Sequence, residues 1–301
     1  MSEKRMAKIG DPAPDLAWLN IEGNEIRLSD YRGKRVVLFV WASWCSCREQ
    51  LADWQLFYRE HRPGGVEVIG IAMDGQGAAH VKPLVEQAKV EFPVVVDSVD
   101  CLWDLFGFEY LPNGYYVDER GVIRYLKVGG FDIRDTINRK ILEDLVTDKW
   151  AKHSSKIQER PKTNFKKDLA ALKRQVKGST RGHDKRLKLC ELYVKTGQPK
   201  KALKEYDIVL DAQPKNARAL FARGAVALRL RKVREAISLW KRAFAIEPNN
   251  WVIRKQLWAL ENPERFYPRI DHNWQNEQIR REELQAEAEL KSRPKAKAHR
   301  I

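Results

Sequence analysis

The 301-residue chain lacks a long hydrophobic segment, because no stretch approaches the ~20 consecutive apolar residues that a membrane-spanning helix requires. Its first residues, MSEKRMAKIGD, carry charges but no apolar core of a secretory signal. The chain also has only four cysteines. We therefore expect a cytoplasmic protein, where structural disulfides are rare. A close cysteine pair in such a protein indicates redox chemistry or metal binding.

Signatures of bound cofactors are also missing. The cysteines do not form the paired spacing of a zinc site, and the six histidines are scattered rather than spaced as ligands. The segment Gly75-Gln76-Gly77 lacks the rest of a dinucleotide-binding fingerprint, so it predicts only a turn. We predict no cofactor and no metal site of these kinds.

Charge is divided unevenly along the chain. Residues 1–150 have a net charge of −5, whereas residues 151–301 have a net charge of +20. The length is sufficient for about two domains at roughly 100–200 residues each. The asymmetry therefore suggests two modules with different partners.

Strand and helix patterns alternate in the first half. Continuous apolar runs predict buried strands, helical patterns follow them, and a hairpin and a last helix close the unit. This order is typical of an α/β fold with a central mixed sheet flanked by helices. The predicted strands are residues 36–41, 66–73, 92–96, 115–117 and 122–128, and the predicted helices are residues 46–62, 78–90, 101–106 and 134–147.

A pair of cysteines, Cys45 and Cys47, follows the first buried strand. Ligands and chemistry gather beyond the carboxyl ends of such strands. A thiol at a helix N-terminus is favoured as thiolate, and Arg48 adds positive charge nearby. We therefore expect a redox pair with one sulfur open to solvent. Cys101 is either a third thiol or a small core residue, and Cys190 is expected to pack in the second half.

Several motifs in chain order carry a family resemblance. GDPAPD at residues 10–15, LSDYRGK at 28–34 and WASWC at 41–45 resemble the thioredoxin-like redoxins of the TlpA/ResA type. LPNGYYVDERG at 111–121 resembles the segment that bears the cis-proline of that fold. The match extends over residues 8–147 and implies a thioredoxin-like fold and a thiol–disulfide oxidoreductase.

The resemblance also implies roles for particular residues. Cys45 would attack a substrate disulfide, and Cys47 would resolve the mixed disulfide. Pro112 would lie beside them, with the Leu111 backbone docking the substrate, while Trp44 and Arg48 support the pair.

Three departures from the family pattern stand out. The pair is Cys-Ser-Cys, one residue shorter than Cys-x-x-Cys, so a disulfide requires Cys45 or Ser46 to leave helical geometry. So small a ring is expected to be strained, which raises the reduction potential. Phe39 replaces a buried acidic or polar residue, and Asn113 follows the proline where threonine is usual.

The alternatives to an oxidoreductase are a peroxidase, a Cu(I)-binding protein and a non-catalytic adaptor. Residues 40–43 lack the proline and threonine that shape a peroxidatic site. Two close thiolates could hold Cu(I), since soft ligands select it. The shortened motif and the missing acid also allow a non-catalytic adaptor that acts through the second half.

A 34-residue period appears in that half. Ala202, Tyr206, Val209 and Pro214 recur as Ala236, Trp240, Ala243 and Pro248. The pattern resembles tetratricopeptide repeats, framed as residues 183–216 and 217–250, with a capping helix at 251–260. The resemblance implies an all-α module that presents a groove to a protein partner.

The predicted organisation has four parts. Residues 1–150 form the redoxin domain, 151–182 a basic linker with a helix around Leu169, Leu172 and Val176, 183–262 the repeats, and 263–301 a charged helix and tail. We expect a thiol–disulfide oxidoreductase that acts on a protein disulfide or thiol and recruits a partner through its repeats. For the basic half, an acidic protein is favoured over nucleic acid, and no membrane partner is expected.

Overall fold

The computed structural model describes residues 7–99, 110–147, 165–176 and 182–292. Cys101 and its predicted helix lie outside these residues. The chain divides into two compact units, the first ending at Glu261 and the second beginning at Asn262. The first unit holds both a β-sheet and most of the described helices, so this division does not separate the predicted segments from one another. The four predicted segment boundaries therefore stay predictions.

A five-stranded mixed sheet forms the centre of the first unit. Its strand order is β5-β4-β3-β6-β7, with β3 parallel to β4 and antiparallel to β6. The sequences RVVLFVW in β3 and VEVIGIA in β4 are almost wholly buried, as expected for parallel strands covered on both faces. The strands are β3 (Arg35–Trp41), β4 (Val66–Ala72), β5 (Val94–Val96), β6 (Asn113–Val117) and β7 (Ile123–Lys127). Two short strands that we did not predict, β1 (Ala17–Leu19) and β2 (Glu25–Arg27), pair separately.

Helices connect the strands of this sheet. The predicted helix at 46–62 is divided, because a 3-10 helix at Ser46–Gln50 precedes α1 (Leu51–His61). Next come α2 (Ala78–Gln87), which holds Pro83 in its interior, and α3 (Thr136–Thr147). The alternation of these elements and the mixed sheet confirm the predicted thioredoxin-like α/β architecture.

The rest of the first unit is helical. Gly197 has a left-handed φ of 71° after α5, and Pro199 occupies the start of α6, a common use of both residues at helix ends. The Asn216 side chain caps α7 by accepting from the Ala219 N–H at 2.9 Å. The helices are α4 (Phe165–Val176), α5 (His183–Lys195), α6 (Pro199–Ala212), α7 (Ala217–Arg229), α8 (Val233–Ile246) and α9 (Trp251–Glu261).

Trp240 on α8 is the largest side chain in the core of this helical region. It is completely buried, and its ring stacks on Phe221 of α7 with 4.8 Å between centroids. Its indole N–H donates to the Phe221 carbonyl at 2.9 Å. The α5–α6 and α7–α8 pairs begin at His183 and Ala217, 34 residues apart, in agreement with the period in the sequence.

Two of the contacts by which the helical region packs against the sheet region involve α9 and α4. In the turn after β4, the Gly75 N–H donates to Gln256 Oε1 of α9 at 2.5 Å, and a Cβ at Gly75 would lie 2.7 Å from the Trp240 ring. At the second of these contacts, Arg27 of β2 donates to Asp168 of α4 at 3.1 Å. Because a Cβ at position 75 would overlap the Trp240 ring, only glycine fits in the turn after β4.

The second unit contains a 3-10 turn at Pro263–Arg265, a cis Tyr267–Pro268 bond and α10 (His272–Ser292). Within it, Phe266 contacts Trp274 edge to face, with 6.2 Å between centroids. None of the helices in the described parts of the chain has both the length and the apolar character needed to cross a bilayer.

Candidate active site at the Cys45–Cys47 disulfide

Cys45 and Cys47 are joined by a disulfide directly after β3. Their Cα atoms are 5.2 Å apart. Cys45 has extended backbone angles (φ −107°, ψ 140°) and caps the 3-10 helix that contains Cys47. The Cys47 N–H donates to Cys45 Sγ at 3.3 Å. Cys45 therefore lies outside helical geometry. This confirms the prediction that a disulfide between two cysteines separated by one residue requires Cys45 or Ser46 to leave the helix.

Both cysteines are buried, with exposed fractions of 6% for Cys45 and 2% for Cys47. The expectation of one solvent-open sulfur is therefore wrong. Helix α9 explains the difference, since Trp251, Val252 and Lys255 line the same cavity as Cys45. This cover comes from a part of the chain more than 200 residues away, so local sequence patterns could not reveal it.

Hydrogen bonds hold the loop around the cysteine pair. The Trp44 indole N–H donates to the Met73 carbonyl at 3.2 Å, and this ring also lines the cavity beside Cys45. Arg48 is buried, and its guanidinium donates to the Ser43 carbonyl at 2.7 Å. Trp44 and Arg48 thus tie the loop to β4 and to its own start.

The proline loop lines the same cavity as α9. The Leu111–Pro112 bond is cis, as the family resemblance predicts, and Leu111 lines the cavity with Cys45. Asn113 is buried and fixes this loop: its amide donates to the Tyr110 carbonyl at 2.8 Å, and its Oδ1 accepts from the Gly129 N–H at 2.6 Å. The asparagine that departs from the family pattern therefore joins the cis-proline loop to the segment after β7.

Sequence reasoning missed Asp74, a fully buried carboxyl just beyond β4. Its Oδ2 accepts from the Ser43 N–H at 3.1 Å, and its Oδ1 accepts from the Gln76 N–H at 3.3 Å. Burial raises the pKa of Asp74, although the hydrogen bonds from Ser43 oppose the shift. The available signal was an acid at the carboxyl end of a buried parallel strand.

Phe39, where relatives often have a polar group, is buried and stacks on Trp54 at 4.8 Å. The buried acid near the cysteine loop is therefore Asp74, which follows β4, and not a residue of β3 at the position of Phe39.

Asp74 is expected to make stability depend on pH. Because its pKa is raised above the ordinary 3.8, the unfolded chain releases this proton more readily than the folded protein. The free energy of unfolding should therefore fall as pH rises from about 4 through the raised pKa. Asp74→Asn should lack this slope, as measured by urea unfolding of both proteins between pH 4 and 8.

Asp144→Asn on the exposed face of α3 is the matched control. Parallel stability curves for the wild type and Asp74→Asn would contradict the prediction.

Cys190, the other cysteine that the structure describes, lies apart from the site. Cys190 is buried in the helical core among residues that include Leu187 and Tyr206, and burial raises the pKa of its thiol. In residues 7–99, 110–147, 165–176 and 182–292, no group of three or more His, Cys, Asp or Glu could hold a metal ion.

Comparisons with known proteins agree with this site. A model of the AhpC/TSA family matches residues 9–126. The thiol-disulfide oxidoreductase ResA of Geobacillus thermodenitrificans (strain NG80-2) is 31% identical over 129 residues, covering 42% of this chain and 74% of that protein. ResA of Bacillus cereus (strain ATCC 10987 / NRS 248) is 32% identical over 128 residues, covering 42% of this chain and 73% of that protein.

Among solved structures, a putative thiol:disulfide interchange protein DsbE from Chlorobium tepidum is 25% identical, covering 46% of this chain and 96% of that chain, with a TM-score of 0.42. A disulfide beyond the first core strand of a mixed sheet, together with a cis-proline loop beside it, defines a thiol–disulfide oxidoreductase domain. The chain belongs to the ResA-like family of these oxidoreductases.

Proposed function

We propose that Cys45 and Cys47 carry out thiol–disulfide exchange on a protein substrate. In the reducing direction, the Cys45 thiolate attacks a substrate disulfide, forms a mixed disulfide and releases one substrate thiolate. Cys47 then attacks Cys45 Sγ, which releases the second thiolate and closes the Cys45–Cys47 bond. The same steps in reverse oxidise a dithiol. The observation that carries the proposal is the disulfide beside the cis Leu111–Pro112 bond.

We place this exchange reaction in the cytoplasm, where thiol reductants return the cysteine pair to the dithiol form. Trp251 and Lys255 of α9 line the cavity together with Cys45 and Leu111, so a substrate that reaches Cys45 passes beside α9. The cavity has a volume of about 90 Å³. We expect α9 to shift when a protein segment enters so small a space.

The helical region is proposed as a tetratricopeptide-type module that recruits a partner. Two observations support this part: the helix pairs recur at 34 residues, and the repeated alanine and aromatic positions are buried. Ala202 and Ala236 are fully buried, as are Tyr206 and Trp240, whereas the repeated prolines are exposed.

The exchange activity is tested with a fluorogenic peptide disulfide and dithiothreitol as reductant. The wild type should accelerate reduction, and Cys45→Ser should return the rate to that of dithiothreitol alone, because the remaining Cys47 does not line the cavity that a substrate sulfur would enter. Cys190→Ser is the matched control and should retain the wild-type rate. Equal rates for wild type and Cys45→Ser would overturn the proposal.

One observation favours a second candidate, a non-catalytic adaptor. Cys45 is only 6% exposed behind α9, so the pair would be inaccessible to substrates if α9 stays in place. In that case wild type and Cys45→Ser would show the same rate and would bind the same partners.

A further inference from the structure

The cavity at Cys45 is formed by two distant parts of the chain. The cysteine loop and the proline loop supply Cys45 and Leu111, and α9 supplies Trp251, Val252 and Lys255. The hydrogen bond from the Gly75 N–H to Gln256, on the same helix, holds α9 against the sheet region. Lys255 is therefore a residue of the helical region that lies at the redox centre.

Lys255 is partly buried and has no oppositely charged partner among the described residues. Among the described residues it makes no ion pair or hydrogen bond, and its ammonium group lies 5.8 Å from the centroid of the Trp251 ring. Burial lowers the pKa of this amine. A partly buried ammonium is costly without an opposite charge, so an anion that formed in the cavity would be stabilised beside it.

Among the described residues, none that lines the cavity offers a permanent anion to Lys255. These described lining residues are apolar or neutral apart from Lys255, and Tyr110 and Cys45 are the other titratable groups among them. Nearby, the Arg48 guanidinium donates to the Ser43 carbonyl, and the Asp74 carboxyl accepts from the Ser43 N–H. Neither of these charged side chains lines the cavity.

We propose that Lys255 supplies the counter-charge of the Cys45 thiolate when the Cys45–Cys47 disulfide is reduced. The inference deepens the proposed exchange function and rests on it for its role in turnover. The helical region would then contribute a positively charged side chain to the active site. This role is separate from the recruitment of a partner.

The reduction step balances as follows. A dithiol reductant gives two electrons, which break the Cys45–Cys47 bond, and becomes a disulfide itself. Of its two protons, one goes to the Cys47 sulfur and the other to the solvent. Cys45 is left as a thiolate in the cavity that the Lys255 ammonium also lines. The disulfide is thereby converted into one thiol and one thiolate, and the thiolate lies beside the lysine cation.

The test measures the pH dependence of Cys45 alkylation in a fully reduced Cys47→Ser protein. This background leaves one cysteine in the peptide that carries the motif. Iodoacetamide modifies only the thiolate, and peptide mass gives the rate at each pH. An opposite charge within ~4–6 Å lowers a thiol pKa by about 1–3 units, so Lys255→Met should shift the midpoint upward by about one unit or more.

Lys255→Arg keeps the positive charge and should return the midpoint toward that of the Lys255 protein. Lys241→Met is the matched control, because Lys241 is exposed on α8 and pairs with Glu261 away from the cavity. It should leave the midpoint unchanged. Equal midpoints for Lys255 and Lys255→Met would overturn the inference, as would a Lys255→Arg midpoint equal to that of Lys255→Met.

The two proposals can fail separately. If the Lys255→Met midpoint shifts but the wild type accelerates no disulfide reduction, the counter-charge stands and the exchange function fails. If the wild type is active and the midpoint does not move, the exchange function stands and the role of Lys255 fails.

Discussion

Cys47→Ser is expected to retain a substrate as a stable mixed disulfide on Cys45, whereas Cys45→Ser retains none. Without Cys47, no other thiol among the described residues is placed to attack Cys45 Sγ, so the exchange stops halfway. The two residues are bonded to each other, and Cys45 rather than Cys47 lines the cavity that an incoming sulfur would enter. Removal of each cysteine should therefore have an opposite effect on trapping.

Glutathione disulfide is a suitable probe, because only its sulfur atoms need to reach Cys45 in the cavity and the adduct has one defined mass. After incubation of reduced protein, intact mass should show one added glutathionyl group on Cys47→Ser, and peptide mapping should place it on Cys45. Cys190 should remain unmodified, since it is buried and its thiol has a raised pKa. Equal modification of Cys45→Ser would show that another thiol reacts.

Trp240→Ala is expected to lower the free energy of unfolding by about 3–5 kcal/mol, which is the usual cost of truncating a buried tryptophan to alanine. Three contacts would be lost together: the stack on Phe221, the hydrogen bond to the Phe221 carbonyl and the packing against Gly75. The cavity left behind would separate α7, α8 and the turn after β4.

Urea unfolding measures this effect, with Ile208→Ala as the matched control. Ile208 lies on α6 and is 42% exposed, so its truncation should change the free energy of unfolding by only about 0.5 kcal/mol. A loss below about 1 kcal/mol for Trp240→Ala would mean that the indole does not hold the helical region together.

Much of the redoxin fold follows from local patterns. β3 and β4 are continuous β-branched and apolar runs, and their burial on both faces is what parallel strands of this composition require. The short strands β1 and β2 were not predicted, because three residues carry too little periodicity to separate a strand from a loop. The division of the helix after Cys45 depends on the disulfide geometry, which helical periodicity does not contain.

The chemistry of the site was predicted less completely. The positions of Cys45, Cys47 and cis-Pro112 came from motifs that are contiguous in the chain. Asp74 was missed because its partner is a backbone N–H on the neighbouring strand's loop, and backbone groups leave no mark in a sequence pattern. Arg48 is placed near the pair as expected, but its guanidinium is directed at the Ser43 carbonyl.

The amino-acid sequence alone determined that a cysteine pair follows the first core strand and that helix pairs with a 34-residue period come later. Both features are local, since they arise from residue spacing within one element or one repeat. Only the tertiary structure decided that α9 packs over Cys45 and brings Lys255 to its cavity. That arrangement depends on side-chain fit between Gly75, Trp240 and Gln256, a match between distant surfaces that no periodicity along the chain encodes.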